Sequence, residues 1–165
     1  MSEDIEKIYA KIINLETEVH NLRQGYMVVN KRYTEALSSL KELTNSATEA
    51  SKRACAAAEK AAIATSKCAL AAKEAANKSV IEAAEAAADA AASSAEAAIQ
   101  AAAAASAAAA AAASAVAHQA ETSSLQASAE AANATKRAAD AAAEAVRMSN
   151  IAAEAARSAR INHKP

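Results

Sequence analysis

The sequence has no phenylalanine, no tryptophan, one glycine, one proline and only three tyrosines in 165 residues. Without large aromatics, a globular domain loses the side chains that contribute most buried area. Leu, Ile and Val together number 22 and gather near the N-terminus, so an ordinary apolar core is excluded over most of the chain. With one Gly, and with Pro165 at the end, there is almost no turn chemistry for hairpins or short loops, which argues against β-structure. One glycine also cannot build a phosphate-cradling loop, a dinucleotide fingerprint or a nucleophile elbow. What replaces all this is alanine, 58 residues of it. Alanine-rich, helix-periodic composition signals long helices and coiled coils.

Charge narrows the function classes further. Lys and Arg number 18 against 19 Asp and Glu, and the signs alternate along the chain. That pattern suits a solvated helix face and offers no basic field for nucleic acid. The opening residues are acidic and polar, so no secretory signal is expected. The nearest approach to a membrane span is 101–117, which holds only Ala, Val116 and two Ser. It is weakly apolar and short of the roughly 20 residues a span needs, so burial against other helices is expected and no membrane partner.

Heptad spacing dominates the N-terminal third. From Ile5, steps of seven give Ile12, Val19, Tyr26, Tyr33 and Leu40, continuing as Ala47, Ala54, Ala61, Cys68 and Ala75. The companion column is Ile8, Leu15, Leu22, Val29, Ala36 and Leu43, continuing as Ala50, Ala57, Ala64 and Ala71. These are a and d positions, and no charge interrupts them over about ten heptads. Chance would have placed several Lys or Glu there. The flanks carry charges such as Glu6, Lys11, Glu18, Arg23 and Arg32. Residues 1–77 are therefore expected to form a parallel coiled coil whose seam is Ile5, Ile8, Ile12, Leu15, Val19, Leu22, Tyr26, Val29, Tyr33, Leu40 and Leu43. Ile5, Ile8 and Ile12, at both a and d, favour three strands, and Leu15 and Leu22 dilute that preference. Gly25 costs a helix about 1 kcal/mol, a weak spot that leaves the register unbroken. A charge at Leu40 or Leu43 is expected to dissociate the oligomer.

The heptad frame fails at Lys78 and Glu82, where charges land on d and a. Polar positions then run Lys78, Glu82, Glu85, Asp89, Ser93, Glu96 and Gln100, an eleven-residue repeat that predicts a nearly straight helix with one polar stripe. That helix needs apolar neighbours on more than one side. A second stripe runs Gln126, Glu130, Asn133, Arg137, Asp140, Glu144, Arg147, Glu154 and Ser158, after a Ser123-x-x-Gln126 capping-box pattern. The expected organisation is an outward leg at 78–118, a turn at 119–123, a returning leg at 124–161 and a tail at 162–165. A leg returning from that turn ends opposite Glu82, where the outward register changes. The alternative is one uninterrupted helix of about 245 Å.

No residue set points to catalysis, a cofactor or a metal. His20, His118 and His163 lie far apart without metal-ligand spacing. Glu82 and Glu85 lie on an exposed stripe where solvation explains them. Asn77 and Asn133 open glycosylation sequons inside predicted helices, where they are accidental. Cys68, at a, and Cys55, at b, are about 20 Å apart along one helix and cannot bond to each other there. Both read as small buried hydrophobes, or as candidates for an interchain disulfide.

The stretch from Ala83 to Ala159, with runs such as AAASSAEAAIQAAAAASAAAAAAASA, resembles the alanine-rich helical shafts of bacteriophage tail fibres and collar fibres (whiskers). The resemblance is compositional, and the glycine-rich β-structured tip of a receptor-binding fibre is missing. It implies a trimeric shaft, whisker or connector of a virion, attached by one end to other structural proteins. The free N-terminus and the basic tail with Arg157, Arg160, His163 and Lys164 are the candidate attachment points. Three classes compete. Granule-coating phasins share the composition, but residues 82–160 offer too few Leu, Phe or Val for a granule surface. Alanine-rich antifreeze proteins share the eleven-residue spacing but need a regular Thr series, which Thr65, Thr122 and Thr135 do not form. A cytoplasmic coiled-coil scaffold fits everything seen.

Overall fold

The computed structural model describes residues 2–78, 80–117 and 122–162, and they are all-α, with no strand among them. Helix α1 spans Ser2–Asn77, α2 spans Ile81–Ala117 and α3 spans Thr122–Asn162. The chain divides into two compact units, Met1–Leu40 and Lys41–Pro165, with α1 contributing to both.

The second unit is a three-helix bundle. Its core is built in layers, each taking small residues from all three helices. One layer joins Cys55 and Ala58 of α1 to Ala105 of α2 and to Ala134 and Ala138 of α3. The next joins Ala62 to Ala95, Ala98, Ala142 and Ala145. A third joins Ala69 and Ala72 to Ala91 and Ala152, and a fourth groups Ala84, Ala156 and Ala159. Numbering rises together in α1 and α3 and falls in α2, so α2 runs antiparallel to both. Every buried apolar side chain among the described residues is alanine except Cys55.

Two expectations are corrected here. The loss of heptad register at Lys78 and Glu82 is not a change of repeat within a straight outward leg: the chain reverses there. The Lys78 amide donates to the Glu74 and Ala75 carbonyls at 3.1 and 3.2 Å, and the Val80 amide donates to the Ala75 carbonyl at 3.0 Å. That last bond has the six-to-one reach of a Schellman closure. Val80 in turn presents its own carbonyl to the Ala84 amide at 3.1 Å, which starts α2. The turn is made without Gly or Pro, the two residues whose scarcity had argued against reversals. The turn expected at 119–123 falls largely on 118–121, outside the described residues, as does the side chain of Ser123 in the capping-box pattern.

The second correction concerns the face that 41–77 buries. Its buried column is Thr44, Thr48, Ser51, Cys55, Ala58, Ala62, Thr65, Ala69 and Ala72. These are e and b positions of the N-terminal register. The stripe lies about 100° around the helix from the expected seam, one residue's rotation. The d-column alanines Ala50, Ala57, Ala64 and Ala71 are exposed, and the a column, Ala47 to Ala75, is half-buried at the flank.

Hydroxyls explain that choice. With alanine in every column, apolar burial scarcely distinguishes one face from the next. The e and b columns alone add Thr44, Thr48, Ser51 and Thr65, all buried. Ser51 Oγ lies 3.2 Å from the Ala105 carbonyl and 3.1 Å from the Ala131 carbonyl, and donates between them. Thr48 Oγ1 donates to the Ala127 carbonyl at 3.1 Å, and Thr135 Oγ1 to the Ala105 carbonyl at 3.2 Å. Such bonds reach main-chain carbonyls only where helices approach closely, which alanine permits. They also set the axial alignment of three helices that could otherwise slide on one another. Ser51→Ala should lower bundle stability by about 1 kcal/mol, read from denaturant unfolding, because one shared donor is lost while both carbonyls keep their helical bonds.

Candidate functional site

Among the described residues of Met1–Leu40, helix α1 buries no side chain fully. Its a and d side chains Ile5, Ile8, Ile12, Leu15, Val19, Leu22, Tyr26, Val29 and Tyr33 are 46 to 72% exposed in the single chain. Successive a residues stand about 10.5 Å apart along one side of the helix. Leu40 is half-buried, and Leu43, in the second unit, is exposed. Tyr9, Ile13, Met27 and Val28 widen the apolar face beyond the seam itself. Nine large apolar side chains in one line form a contiguous patch of the kind that marks an association surface. Burying such a side chain yields about 1.5–3 kcal/mol. The Thr17 and Thr34 hydroxyls there donate back to the Ile13 and Asn30 carbonyls at 2.9 Å.

The bundle presents a different surface. Its helices are clasped at the rim by ion pairs between segments distant in sequence. Lys52 Nζ lies 2.7 Å from Glu130 Oε2, and Arg137 Nη2 lies 2.6 Å from Glu59 Oε1. Arg160 pairs with Glu85 across α3 and α2. The Lys52 ammonium holds the Glu130 carboxyl below its usual range, and the Arg160 guanidinium does the same for Glu85, each chiefly through its hydrogen bond. Glu85, Glu130 and Arg137 belong to the polar stripes read from sequence. The stripes therefore do more than face solvent: they carry the clasps between helices.

A groove between α1 and α3 is lined by Lys52, Cys55, Glu59, Glu130, Asn133 and Arg137. Cys55 is 3% exposed there, and its Sγ lies 3.7 Å from Glu59 Oε1. Burial pushes its thiol above the usual range, with the Glu59 charge adding to the effect. A protonated, buried thiol is a poor nucleophile. An interchain disulfide through Cys55 would need the bundle to open, so only Cys68, half-buried and free, is placed for one. The structure does not bring Cys55 and Cys68 together, and both are free.

Among the described residues no group of three His, Cys, Asp or Glu is placed to hold a metal ion. His20 Nε2 lies 3.5 Å from Gln24 Nε2, while His118 and His163 lie outside the described residues. By length and composition, α2 contains one stretch, Ile81–Ser114, apolar enough to cross a membrane. In the bundle Ala84, Ala91, Ala95, Ala98 and Ala105 of that stretch are buried in the layers described above and Ala112 is buried beyond them, while the stretch as a whole is 17% buried. Compared with known proteins, the chain matches no family model, no curated protein and no solved structure.

Proposed function

We propose that this chain is a structural component, a spacer or whisker-like fibre element of a virion or similar large assembly. Three copies associate in parallel through the N-terminal seam, and protein neighbours attach at one end. The observation that carries this reading is the contrast between the two units. The second unit builds a core of its own from alanine layers, whereas in the first unit the seam residues from Ile5 to Tyr33 all stand exposed. A seam of that length exposed in a single chain is complete only against further helices. Isoleucine at a and d of the first heptad, Ile5 and Ile8, and at a of the second, Ile12, supports three strands.

The resemblance to phage fibre shafts supports the virion setting. The balance of 18 basic and 19 acidic residues supports protein neighbours over nucleic acid.

A cysteine placed in the seam tests the parallel arrangement. With Cys55 and Cys68 replaced by alanine, Val29→Cys should form a chain-to-chain disulfide under mild oxidation, because equivalent d residues face one another in a parallel coil. A band at twice the chain's mass on a non-reducing gel is the expected result. Failure to cross-link while the protein remains associated would contradict the parallel seam.

A further inference from the structure

Gly25 lies in mid-helix, where glycine costs about 1 kcal/mol relative to alanine. A β-carbon added there would meet nothing within 4 Å, so no contact within the chain requires a glycine. Whatever excludes a side chain at this position is not in the single chain. The position is g, beside the seam, and it opens a shallow depression lined by Glu18, Asn21, Leu22, Gly25 and Tyr26.

In a parallel, in-register coil, each a side chain enters a hole formed on the neighbouring helix by the preceding d and g and by the a and d of its own layer. For Tyr26 those four residues are Leu22, Gly25, Tyr26 and Val29. For Tyr33 they are Val29, Arg32, Tyr33 and Ala36. The two largest residues of the a column thus meet the chain's one glycine and the only alanine among the d positions from 8 to 43. The holes for Ile12 and Val19 contain no such small wall.

Resting on the self-association proposed above, we infer that Gly25 and Ala36 are sockets for Tyr26 and Tyr33 of a second copy of this chain, fixing a parallel, in-register arrangement. Charge agrees with that occupant. A parallel coil sets each g residue against the e residue five positions on in its neighbour. Lys11 then faces Glu16 of the second copy, and Glu18 faces Arg23, opposite signs in both cases. An antiparallel neighbour would instead pair g with g and e with e.

The test compares Gly25→Leu in the full chain with the same change in a Tyr26→Leu background, reading the association constant by sedimentation. Leucine favours the helix more than glycine does, so at a merely exposed position it strengthens association in both backgrounds. A filled socket predicts about tenfold weaker association with Tyr26 present and no weakening once Tyr26 is Leu. An unchanged thermal transition of the bundle confirms that each variant is folded. Strengthening in both backgrounds would overturn the sockets and leave self-association standing. A native chain that stays monomeric at every concentration would overturn both.

Discussion

Leu22→Asp is expected to abolish self-association of the full chain while leaving its bundle intact. Leu22 is a d residue at the middle of the seam and is 72% exposed in the single chain. In the oligomer, one aspartate per copy would converge on a single apolar layer. Breaking such a layer with unpaired buried charges costs several kcal/mol, and about 4 kcal/mol is a thousandfold in the association constant. Sedimentation would read the loss as a fall to the mass of one chain. The thermal transition of 41–165 should not move, since that unit packs on its own alanine layers. Gln24→Asp, on the opposite side of the helix, is the matched control and should leave the mass unchanged.

Ala58→Leu should damage the other half of the molecule. Ala58 is fully buried between Ala105 of α2 and Ala134 and Ala138 of α3. A leucine adds three carbons where helices approach closely enough for Ser51 to reach two main-chain carbonyls. Overpacking at such a site costs about 3 kcal/mol, a fall in melting temperature on the order of 10 °C for a unit of this size. Ala57→Leu, one residue earlier and exposed, should change stability by no more than about 0.5 kcal/mol. The two variants differ only in which face of one helix is crowded. Equal effects would contradict the placement of the core on the e and b columns.

That pair also shows how far the sequence could be read. The exposed apolar line from Ile5 to Tyr33 was legible because large apolar residues at 3.5 spacing stand out against charged flanks. The all-α class followed from the lack of Gly, Pro and aromatics. From Ala47 onward the same rule lost its contrast. Ala57 and Ala58 are chemically identical, and one is exposed while the other is core. The signal that separates them is hydroxyl placement: Thr44, Thr48, Ser51 and Thr65 follow one another at steps of 4, 3 and 14 (two heptads) along one face, and each is buried. Ser and Thr at helical spacing within an alanine helix are cheap to bury when they donate to a carbonyl, so they can mark a core.

The reversal after Asn77 was missed for a related reason. Its turn is closed by backbone bonds from Lys78 and Val80 rather than by glycine or proline. The register failure at Lys78 and Glu82 located the break in sequence without disclosing that the chain doubles back. Arg137, Arg160 and Lys52 show a smaller version of the same limit. Arg137 stood on a visible stripe, but the partners of all three, Glu59, Glu85 and Glu130, lie 75 or more residues away and follow only from the three-helix arrangement.

The central claim is that the N-terminal seam joins copies of this chain. Sedimentation equilibrium on the unmodified protein, across a wide range of concentration, tests it most directly. A parallel trimer gives a mass three times that of the 16.6 kDa chain at micromolar concentration, dissociating only on dilution. A single species of one chain's mass throughout would contradict it.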